Sequence, residues 1–282
     1  MPTFGVHAFT FVGDWNTETG NYAIDQAGRI GFDVIEMPLL RPAEFNASSH
    51  RAALKKAKIG ATCSLALPKA LHMPHHPEEA HKFMLAAIEQ TEAVGSQYLA
   101  GCIAYSLGVL TGAPPTTEER QTVVDVLKSL CADAKARGIT LALEACNRYE
   151  TYMYNTLADT RAAIKAVGAP NLKLHADTYH MNIEEENFTE PFVETADVLD
   201  YIHMSESHRG MVGTGTVKWK QVFRGLAQIN FKGYLVLESF AAINPDLAAA
   251  TCLWRAPKHD GPTLAKEGFK FLKKGAKRAG LN

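Results

Sequence analysis

The sequence predicts an α/β protein, a single-domain (β/α)8 or TIM barrel, and three observations support that fold. The chain has 282 residues, close to the roughly 250 residues of an eight-unit barrel. Short apolar, β-prone runs alternate with amphipathic stretches rich in Ala, Lys and Glu, which is the pattern of βα units. The alternation occurs eight times without a linker or a low-complexity tract. We therefore expect residues 1–282 to form one domain.

The predicted strands are short apolar runs, several of which end in a polar residue. They are Phe4–Phe9, Phe32–Pro38, Ala61–Leu67, Tyr98–Ala104, Thr140–Ala145, Leu172–Asp177, Tyr201–Ser205 and Tyr234–Ser239. Helical patterns lie between them, and in Thr117–Arg137 the residues Val123, Leu127 and Leu130 fall on one face. Eight parallel units close into a barrel without leaving an edge strand, with an open doubly wound sheet as the alternative.

Five glycines stand just before predicted strands. They are Gly31, Gly60, Gly95, Gly138 and Gly233. A glycine at this place often supplies the left-handed residue that ends a helix and turns the chain into the next strand. We expect all five to act in this way.

Composition and charge favour a small-molecule ligand over a polymer or a membrane. The 29 Lys and Arg residues balance 30 Asp and Glu, for a formal net charge of −1, and there is no basic stripe of the kind that binds nucleic acid. The apolar runs are far shorter than the roughly 20 residues of a membrane span, and Met1–Trp15 lacks the parts of a signal peptide. We expect a cytoplasmic protein with no nucleic-acid or membrane partner.

The five cysteines indicate reduced thiols. Their number is odd and no C-x-x-C pair occurs, which disfavours both a disulfide framework and a structural zinc site. Cys63, Cys102 and Cys146 lie in or just after predicted strands, where small core residues are the simplest interpretation. Cys63 is also a candidate for contact with a ligand.

Four polar residues lie on the last four predicted strands, near their carboxyl ends. Glu144, Asp177 and Glu238 belong to strands five, six and eight, and His203 belongs to strand seven. Each is about one βα unit from the next, so the four should project at the C-terminal face, where barrel enzymes have their active sites. Singly, each has a structural explanation, such as a buried ion pair or a hydrogen-bonded core histidine.

Together, the four residues predict a metal site. Three carboxylates in a barrel mouth repel one another and raise one another's pKa unless a cation lies among them. Oxygen ligands with one imidazole and no thiolate suit Mn²⁺, Co²⁺ or Mg²⁺ better than a structural Zn²⁺. Among these ions Mn²⁺ is our first expectation.

The sequence around these residues closely resembles the ketose 3-epimerases, a group on the xylose isomerase-like barrel that includes D-tagatose, D-allulose and L-ribulose 3-epimerases. The resemblance extends over nearly the whole chain. Its motifs are LEACNRYE at 143–150, DTYHMNIEE at 177–185, HMSESHRG at 203–210 and LESF at 237–240. The run ESHRG followed by Gly213-Thr214-Gly215 is most similar to the L-ribulose 3-epimerases.

The resemblance implies roles for individual residues. It makes Glu144, Asp177, His203 and Glu238 the metal ligands, and it implies that Glu150, His180 and Arg209 contact a ketose near O1 and O2. Four further residues are expected to contact the sugar: His7, Trp15, Cys63 and Phe240. Three aromatic residues, Trp15, Phe240 and Trp254, are candidates for an apolar wall over the sugar or for part of a subunit contact, with plain core packing as the alternative.

Epimerisation at C3 explains why two glutamates are needed. Removal of the C3 proton leaves a planar cis-enediolate, whose charge a metal and nearby donors stabilise. Inversion then requires a proton taken from one face and returned to the other. Glu144 and Glu238 stand three strands apart around the barrel, so we expect them to be the two catalytic acid/bases.

Several alternatives stay open from the sequence. An aldose–ketose isomerase of the hydroxypyruvate isomerase type or an inosose dehydratase would use the same scaffold, as would a nuclease for abasic DNA sites or a sugar-binding module. The substrate could carry a phosphate near Arg209 and Lys218, beside a predicted lid turn at 210–215. The histidine-rich tract 71–76 is expected to be a surface or lid loop. We expect a homodimer or a homotetramer.

Overall fold

The computed structural model describes residues 1–242 and 244–281. Within them, parallel strands close into a barrel in sequence order, which confirms the predicted TIM barrel and excludes the open sheet. The strands are β1 (Thr3–His7), β2 (Val34–Pro38), β3 (Gly60–Ala66), β4 (Tyr98–Cys102), β5 (Thr140–Glu144), β6 (Leu172–Asp177), β7 (Leu199–Ser205) and β8 (Tyr234–Glu238).

Helices follow the strands and surround the barrel. The α-helices of the described residues are α1 (Thr17–Ile30), α2 (Ala47–Ala57), α3 (Pro77–Val94), α4 (Thr117–Ala136), α5 (Leu157–Val167), α6 (Thr178–Glu184), α7 (Glu190–Glu194), α8 (Trp219–Gln228), α9 (Pro245–Thr251) and α10 (Gly261–Arg278). Short 3₁₀ helices cover Ala8–Thr10, Pro42–Glu44 and Lys69–Leu71. None of the described helices combines the length and apolar character that crossing a bilayer requires.

Helix ends form where the local sequence supplies a cap. At the start of α4, the Thr116 hydroxyl accepts a hydrogen bond from the backbone N–H of Glu119, and the Glu119 carboxylate accepts one from the N–H of Thr116. This capping box satisfies two N–H groups that the helix itself leaves unpaired. Asn16 caps α1 in the same way, together with Thr19.

The barrel interior has an apolar lower layer beneath the C-terminal mouth. Tyr98, Ala100, Ala142, Tyr201 and Val236 pack together there as one buried cluster. Because side chains alternate along a strand, the next inward positions of β5, β7 and β8 lie one layer higher, towards the carboxyl ends. The layer above the apolar cluster therefore carries polar residues at the mouth.

The glycines before the strands serve two purposes. Gly31, Gly95 and Gly138 have φ of 101°, 86° and 70°, which confirms the predicted left-handed residues. The same prediction is wrong for Gly60 and Gly233, whose φ values are not positive. The α2 helix ends instead at Lys58, with φ of 58°. At Gly233 the constraint is space, since an added Cβ would lie 2.0 Å from the carbonyl oxygen of Asp200.

We expect Gly233→Ala to destabilise the protein by about 1–3 kcal/mol, the usual cost of overpacking. The clash is with backbone, which cannot rotate away. Gly60→Ala is the matched control, because its Cβ would meet only a Val34 methyl group at 3.2 Å and the Asp33 carbonyl oxygen at 3.7 Å. Urea unfolding followed by circular dichroism measures both. Equal stability of the two variants would contradict the steric explanation.

Candidate active site

The structure brings the four predicted ligand residues together at the C-terminal mouth. Glu144, Asp177 and Glu238 are the last residues of their strands, and Asp177 pairs in register with His203. The side chains of all four are buried. His203 Nδ1 lies 3.4 Å from Glu238 Oε1 and 3.9 Å from Glu144 Oε1. The ligand atoms of Asp177, His203 and Glu238 all lie within 4.8 Å of one another, so these residues could hold a metal ion.

Glu36 fixes the orientation of His203. Its Oε2 lies 2.8 Å from His203 Nε2 and accepts a hydrogen bond of 2.6 Å from the Tyr201 hydroxyl. Burial opposes the ionised form, but the positive charges of His203 and His7 outweigh it and lower the pKa of Glu36. The ionised Glu36 thus accepts the Nε2 proton, and Nδ1 is the nitrogen that faces Glu144 and Glu238.

His203 Nδ1 is suited to bind a cation. Among the described residues this buried nitrogen has no hydrogen-bond partner, although an unpaired buried polar atom is costly. A metal-ligating histidine commonly donates its other ring N–H to a carboxylate, as His203 does to Glu36. Burial lowers the pKa of His203, but Glu36 and Glu238 raise it to about 9, so a bound ion would displace a proton from Nδ1.

The three carboxyl groups of the site do not share one electrostatic environment. Burial, with the charges of Asp177 and Glu238, raises the pKa of Glu144 well above its usual range. Burial also raises the pKa of Asp177 to about 7, against the opposing effect of Arg209. At Glu238 burial acts in the same direction, but Arg209 and His203 outweigh it and lower the pKa. Burial and the neighbouring acids therefore favour the protonated form of Glu144, whereas Arg209 and His203 favour the ionised form of Glu238.

Arg209 supplies positive charge to this cluster. Its Nη1 donates to Asp177 Oδ2 at 2.9 Å and also to Glu238. The guanidinium carbon lies 3.8 Å from the centroid of the Tyr179 ring, a cation–π contact. The backbone of Arg209 has φ of 59°, a conformation that is uncommon outside glycine and that recurs at functional sites.

His180 and Glu150 lie beside the cluster and share one partner, Asn147. The Asn147 amide nitrogen lies 2.8 Å from His180 Nδ1 and donates to Glu150 Oε1 at 3.0 Å, and its backbone N–H donates to the same Nδ1 at 3.1 Å. Because Nδ1 accepts, the proton of the neutral ring is on Nε2. That atom lies 3.7 Å from both Glu144 Oε1 and Asp177 Oδ2. It also lies 3.3 Å from Arg209 Nη2, which can only donate, so His180 places a protonated ring nitrogen beside a second donor at the edge of the site.

Aromatic rings form one side of the mouth. The His7 ring lies 5.0 Å from Phe9 and 5.8 Å from His203, between ring centroids. Phe240 follows β8, with its ring 6.5 Å from Phe9 and 5.4 Å from the guanidinium carbon of Arg209. His7 and Phe240 thus lie next to the polar cluster, as their predicted contact with a ligand requires.

Comparisons with known proteins agree with this geometry. The sequence profile of the xylose isomerase-like TIM barrel family matches residues 24–275. An L-ribulose 3-epimerase of Methylomonas sp. (strain DH-1) is 35% identical, with 96% of each chain covered. A ketose 3-epimerase of Arthrobacter globiformis is 31% identical, with 95% of each covered. A solved D-allulose 3-epimerase from Methylomonas sp., in complex with D-allulose, has a TM-score of 0.93 at 34% identity and covers 97% of this chain and 96% of its own.

The chain belongs to the ketose 3-epimerase family of xylose isomerase-like TIM barrels. It is therefore an isomerase, a carbohydrate epimerase. The relatives support C3 epimerisation of ketoses. Membership in this family disfavours the nuclease and the binding module that the sequence left open.

Two residues that were predicted to contact the sugar, Cys63 and Trp15, have their recorded neighbours outside the polar cluster of the site. Cys63 is buried beside Thr91 of α3 and Ser96, on the helix side of β3, and burial raises the pKa of its thiol to about 12. The adjacent Thr62 points into the barrel and lies 2.7 Å from the Tyr201 hydroxyl, so strand alternation turns Cys63 outward. This placement does not support the predicted contact of Cys63 with substrate, and the interpretation of Cys63 as a core residue agrees with its burial.

Trp15 packs in the β1–β2 region of the mouth. Its ring stacks on Phe45 with centroids 6.4 Å apart and lies 4.9 Å from His50. It lines a groove together with Asp14 and Arg41. In the described part of the chain, no aromatic or hydrogen-bond contact joins Trp15 to Phe240, and Trp254 is exposed.

The histidine-rich tract, predicted to be a surface or lid loop, is exposed at His75 and His76 but buried at His72. His72 is 1% exposed, its Nδ1 accepts from the backbone N–H of Ser106, and its Nε2 lies 3.2 Å from the Tyr152 hydroxyl. Tyr152 in turn donates to Glu119 Oε1 at 2.6 Å. These bonds connect the loops after β3, β4 and β5, so His72 has a structural role.

Three residues at the site were not predicted as site residues from the sequence. Glu36 and His175 occupy inward positions of β2 and β6, and Asn147 follows β5. His175 is fully buried, and both ring nitrogens lack a hydrogen-bond partner among the described residues. Side-chain alternation along the strands is the sequence feature that identifies Glu36 and His175 as site residues, because each is a polar residue at a position that points into the barrel.

We expect the thermal stability of the metal-free protein to fall as the pH rises. Asp177 has a folded-state pKa of about 7, above its unfolded value of about 4. A group whose pKa is raised by folding stabilises the fold below the unfolded pKa and loses that contribution as the pH rises through the folded pKa. The loss for Asp177 should thus extend from about pH 4 to about pH 7, and Glu144, whose pKa is also raised, should add to it.

Melting temperatures measured between about pH 5 and pH 8, with chelator or with Mn²⁺, test this pH dependence. Mn²⁺ should flatten the decline because it compensates the carboxylates, and Asp177→Asn should flatten it without metal. Asp125→Asn, an exposed change on α4, should leave the decline as it is. The same slope with chelator and with Mn²⁺ would count against a cation site.

We expect Glu36→Gln to weaken Mn²⁺ binding by about 10- to 100-fold, the usual effect of losing a carboxylate that orients a metal-binding histidine. The substitution keeps the shape of the side chain but removes the charge that fixes the proton on His203 Nε2. Isothermal titration calorimetry gives the affinity, with the exposed Glu44→Gln as control. Unchanged Mn²⁺ affinity in a folded Glu36→Gln protein would refute the orienting role.

Proposed function

We propose that this protein is a metal-dependent epimerase that inverts C3 of free ketoses of the L-ribulose/L-xylulose, D-allulose/D-fructose and D-tagatose type. One observation carries the proposal: the carboxylates of Glu144 and Glu238, from strands three apart, lie 3.9 Å and 3.4 Å from the same nitrogen, His203 Nδ1. Relatives named L-ribulose 3-epimerase and D-psicose 3-epimerase support the choice of substrates.

Four side chains would hold the metal: Glu144, Asp177, His203 and Glu238. The unpartnered His203 Nδ1 and the raised pKa of Asp177 support their fit to a cation. When bound, a divalent ion would polarise the C2 carbonyl of the ketose and stabilise negative charge on O2. The donor set of oxygen and imidazole favours Mn²⁺, with Co²⁺ and Mg²⁺ as alternatives.

The two glutamates would move the proton at C3. One carboxylate takes the proton from one face of C3, the sugar passes through a planar cis-enediolate, and the other carboxyl group returns a proton to the opposite face. The surroundings of the two groups shift their pKa values in opposite directions, since the pKa of Glu144 is raised and the pKa of Glu238 is lowered. A pair of carboxyl groups with opposite shifts is suited to work as one acid and one base.

His180, Arg209 and Glu150 would hold the sugar. His180 offers an Nε2 proton, because Asn147 occupies Nδ1, and Arg209 offers N–H groups beside Asp177 and Glu238. These donors suit the oxygens at C1 and C2, where negative charge develops. The Glu150 carboxylate, held by Asn147, can accept a hydrogen bond from a sugar hydroxyl.

Other expectations stay predictions from the sequence. They concern the preference for Mn²⁺, a homodimeric or homotetrameric assembly, a cytoplasmic location and the choice between free and phosphorylated sugars.

Incubation with L-ribulose, D-allulose or D-tagatose and Mn²⁺ in D₂O tests the reaction. We expect deuterium at C3 of the product, because the returned proton comes from a group that exchanges with solvent. Nuclear magnetic resonance locates the label. Deuterium at C1 or C2 instead would indicate an aldose–ketose isomerase, and loss of water would indicate a dehydratase.

We expect Glu144→Gln and Glu238→Gln each to lower the rate of epimerisation by about 100- to 10,000-fold, the usual contribution of a general acid or base. Each variant should still exchange the C3 hydrogen of one of the two epimers without inverting it, because one base remains. Mn²⁺ content is measured in parallel to separate loss of a base from loss of the ion.

The exposed Glu186→Gln is the control for these variants and should keep the parental rate. If both active-site variants retain the ion and exchange neither epimer, or both exchange the same one, the assignment of one glutamate to each face is wrong.

A further inference from the structure

Two thiols lie next to each other at the edge of the site. Cys102 is the last residue of β4, and Cys146 lies two residues beyond the end of β5. Both are free and buried, and their sulfur atoms are 3.5 Å apart. The proposed reaction uses neither thiol.

Glu144 connects this thiol pair to the proposed metal ligands. Its Oε1 faces His180 and His203, at 3.7 Å and 3.9 Å. Its Oε2 faces the other way, 3.7 Å from Cys102 Sγ and 3.6 Å from His175 Nδ1. One carboxylate oxygen therefore belongs to the thiol cluster, and ligand atoms of Cys102, Glu144 and Cys146 all lie within 4.8 Å of one another.

The spacing of these atoms matches a tetrahedral thiolate site. With Zn–S bonds of about 2.3 Å and a Zn–O bond of about 2.1 Å, tetrahedral angles separate two sulfurs by about 3.8 Å and a sulfur from an oxygen by about 3.6 Å. The corresponding distances here are 3.5 Å between the sulfurs and 3.7 Å between Cys102 Sγ and Glu144 Oε2. The Cys102 thiol donates a hydrogen bond to this oxygen, and neither that bond nor apolar packing requires a second sulfur 3.5 Å from the first.

We propose that Cys102, Cys146 and Glu144 Oε2 form a second cation site, which takes one thiophilic divalent ion such as Zn²⁺ or Cd²⁺ and thereby inhibits the enzyme. Two thiolates select such an ion, whereas Mn²⁺ and Mg²⁺ prefer the oxygen-rich ligands. Binding releases the two thiol protons. It also engages Glu144, so that this carboxylate no longer exchanges a proton with the sugar.

The inhibition rests on the proposed catalytic role of Glu144, whereas the binding of the ion does not. The two can therefore fail separately in one titration that follows both binding and activity.

The test uses the Mn²⁺-loaded protein with Cys252→Ser, which removes the exposed cysteine. We expect one equivalent of CdCl₂ to produce the ultraviolet charge-transfer band of Cd–thiolate bonds and to abolish epimerisation in parallel. X-ray absorption should count two Cd–S bonds. Cys102→Ala and Cys146→Ala, added singly to this background, should each lose the band and the tight binding. Serine replacements serve where an alanine variant does not fold.

Cys131→Ala and Cys63→Ala are the matched controls, since both thiols are buried and neither belongs to the cluster. They should keep the band and its stoichiometry. The absence of a thiolate band in the Cys252→Ser protein, or its persistence in folded Cys102 and Cys146 variants, would overturn the site. A full band with unchanged epimerisation would overturn the inhibition and would count against Glu144 as a catalytic group.

Discussion

The structure depends on one electrostatic constraint: three buried carboxyl groups meet at the barrel mouth and need positive charge among them. Arg209 and His203 provide part of it, through contacts with Asp177 and Glu238. This compensation is incomplete, because the pKa values of Glu144 and Asp177 are still raised. A divalent ion is the simplest group that completes it, and the same ion would supply the polarisation that proton removal beside a carbonyl requires.

The barrel interior holds this cluster in place. The Tyr201 hydroxyl, from the apolar lower layer, bonds to Thr62 and Glu36, and Glu36 orients His203. The ligand nitrogen is thus set by a chain of buried hydrogen bonds across three strands, which low dielectric strengthens. Asn147 plays the corresponding role for His180 and Glu150. Orientation by such partners holds side chains in a productive geometry.

Glu144 lies between two clusters of polar side chains. One of its oxygens faces the histidines of the proposed metal site and the other faces two thiols and His175. The proposed reaction requires this carboxyl group to exchange a proton, and a soft cation in the thiol cluster would compete for it. The same placement that makes the group a candidate base thus exposes it to inhibition, whereas Glu238 has Arg209 as its principal partner.

The sequence alone determined the barrel, since the eight runs and their spacing are local properties, and the predicted strands end within two residues of the observed ones. It also placed Glu144, Asp177, His203 and Glu238 at one face, because parallel strands bring their carboxyl ends together. Only the tertiary structure decided that Cys63 faces the helices, that Trp15 packs on Phe45, that His203 turns Nδ1 to the site, and that Cys102 meets Cys146. The direction of Cys63 follows from side-chain alternation once the strand and its inward face are known, whereas the other three facts depend on loop paths and on partners distant in the chain, which no local pattern encodes.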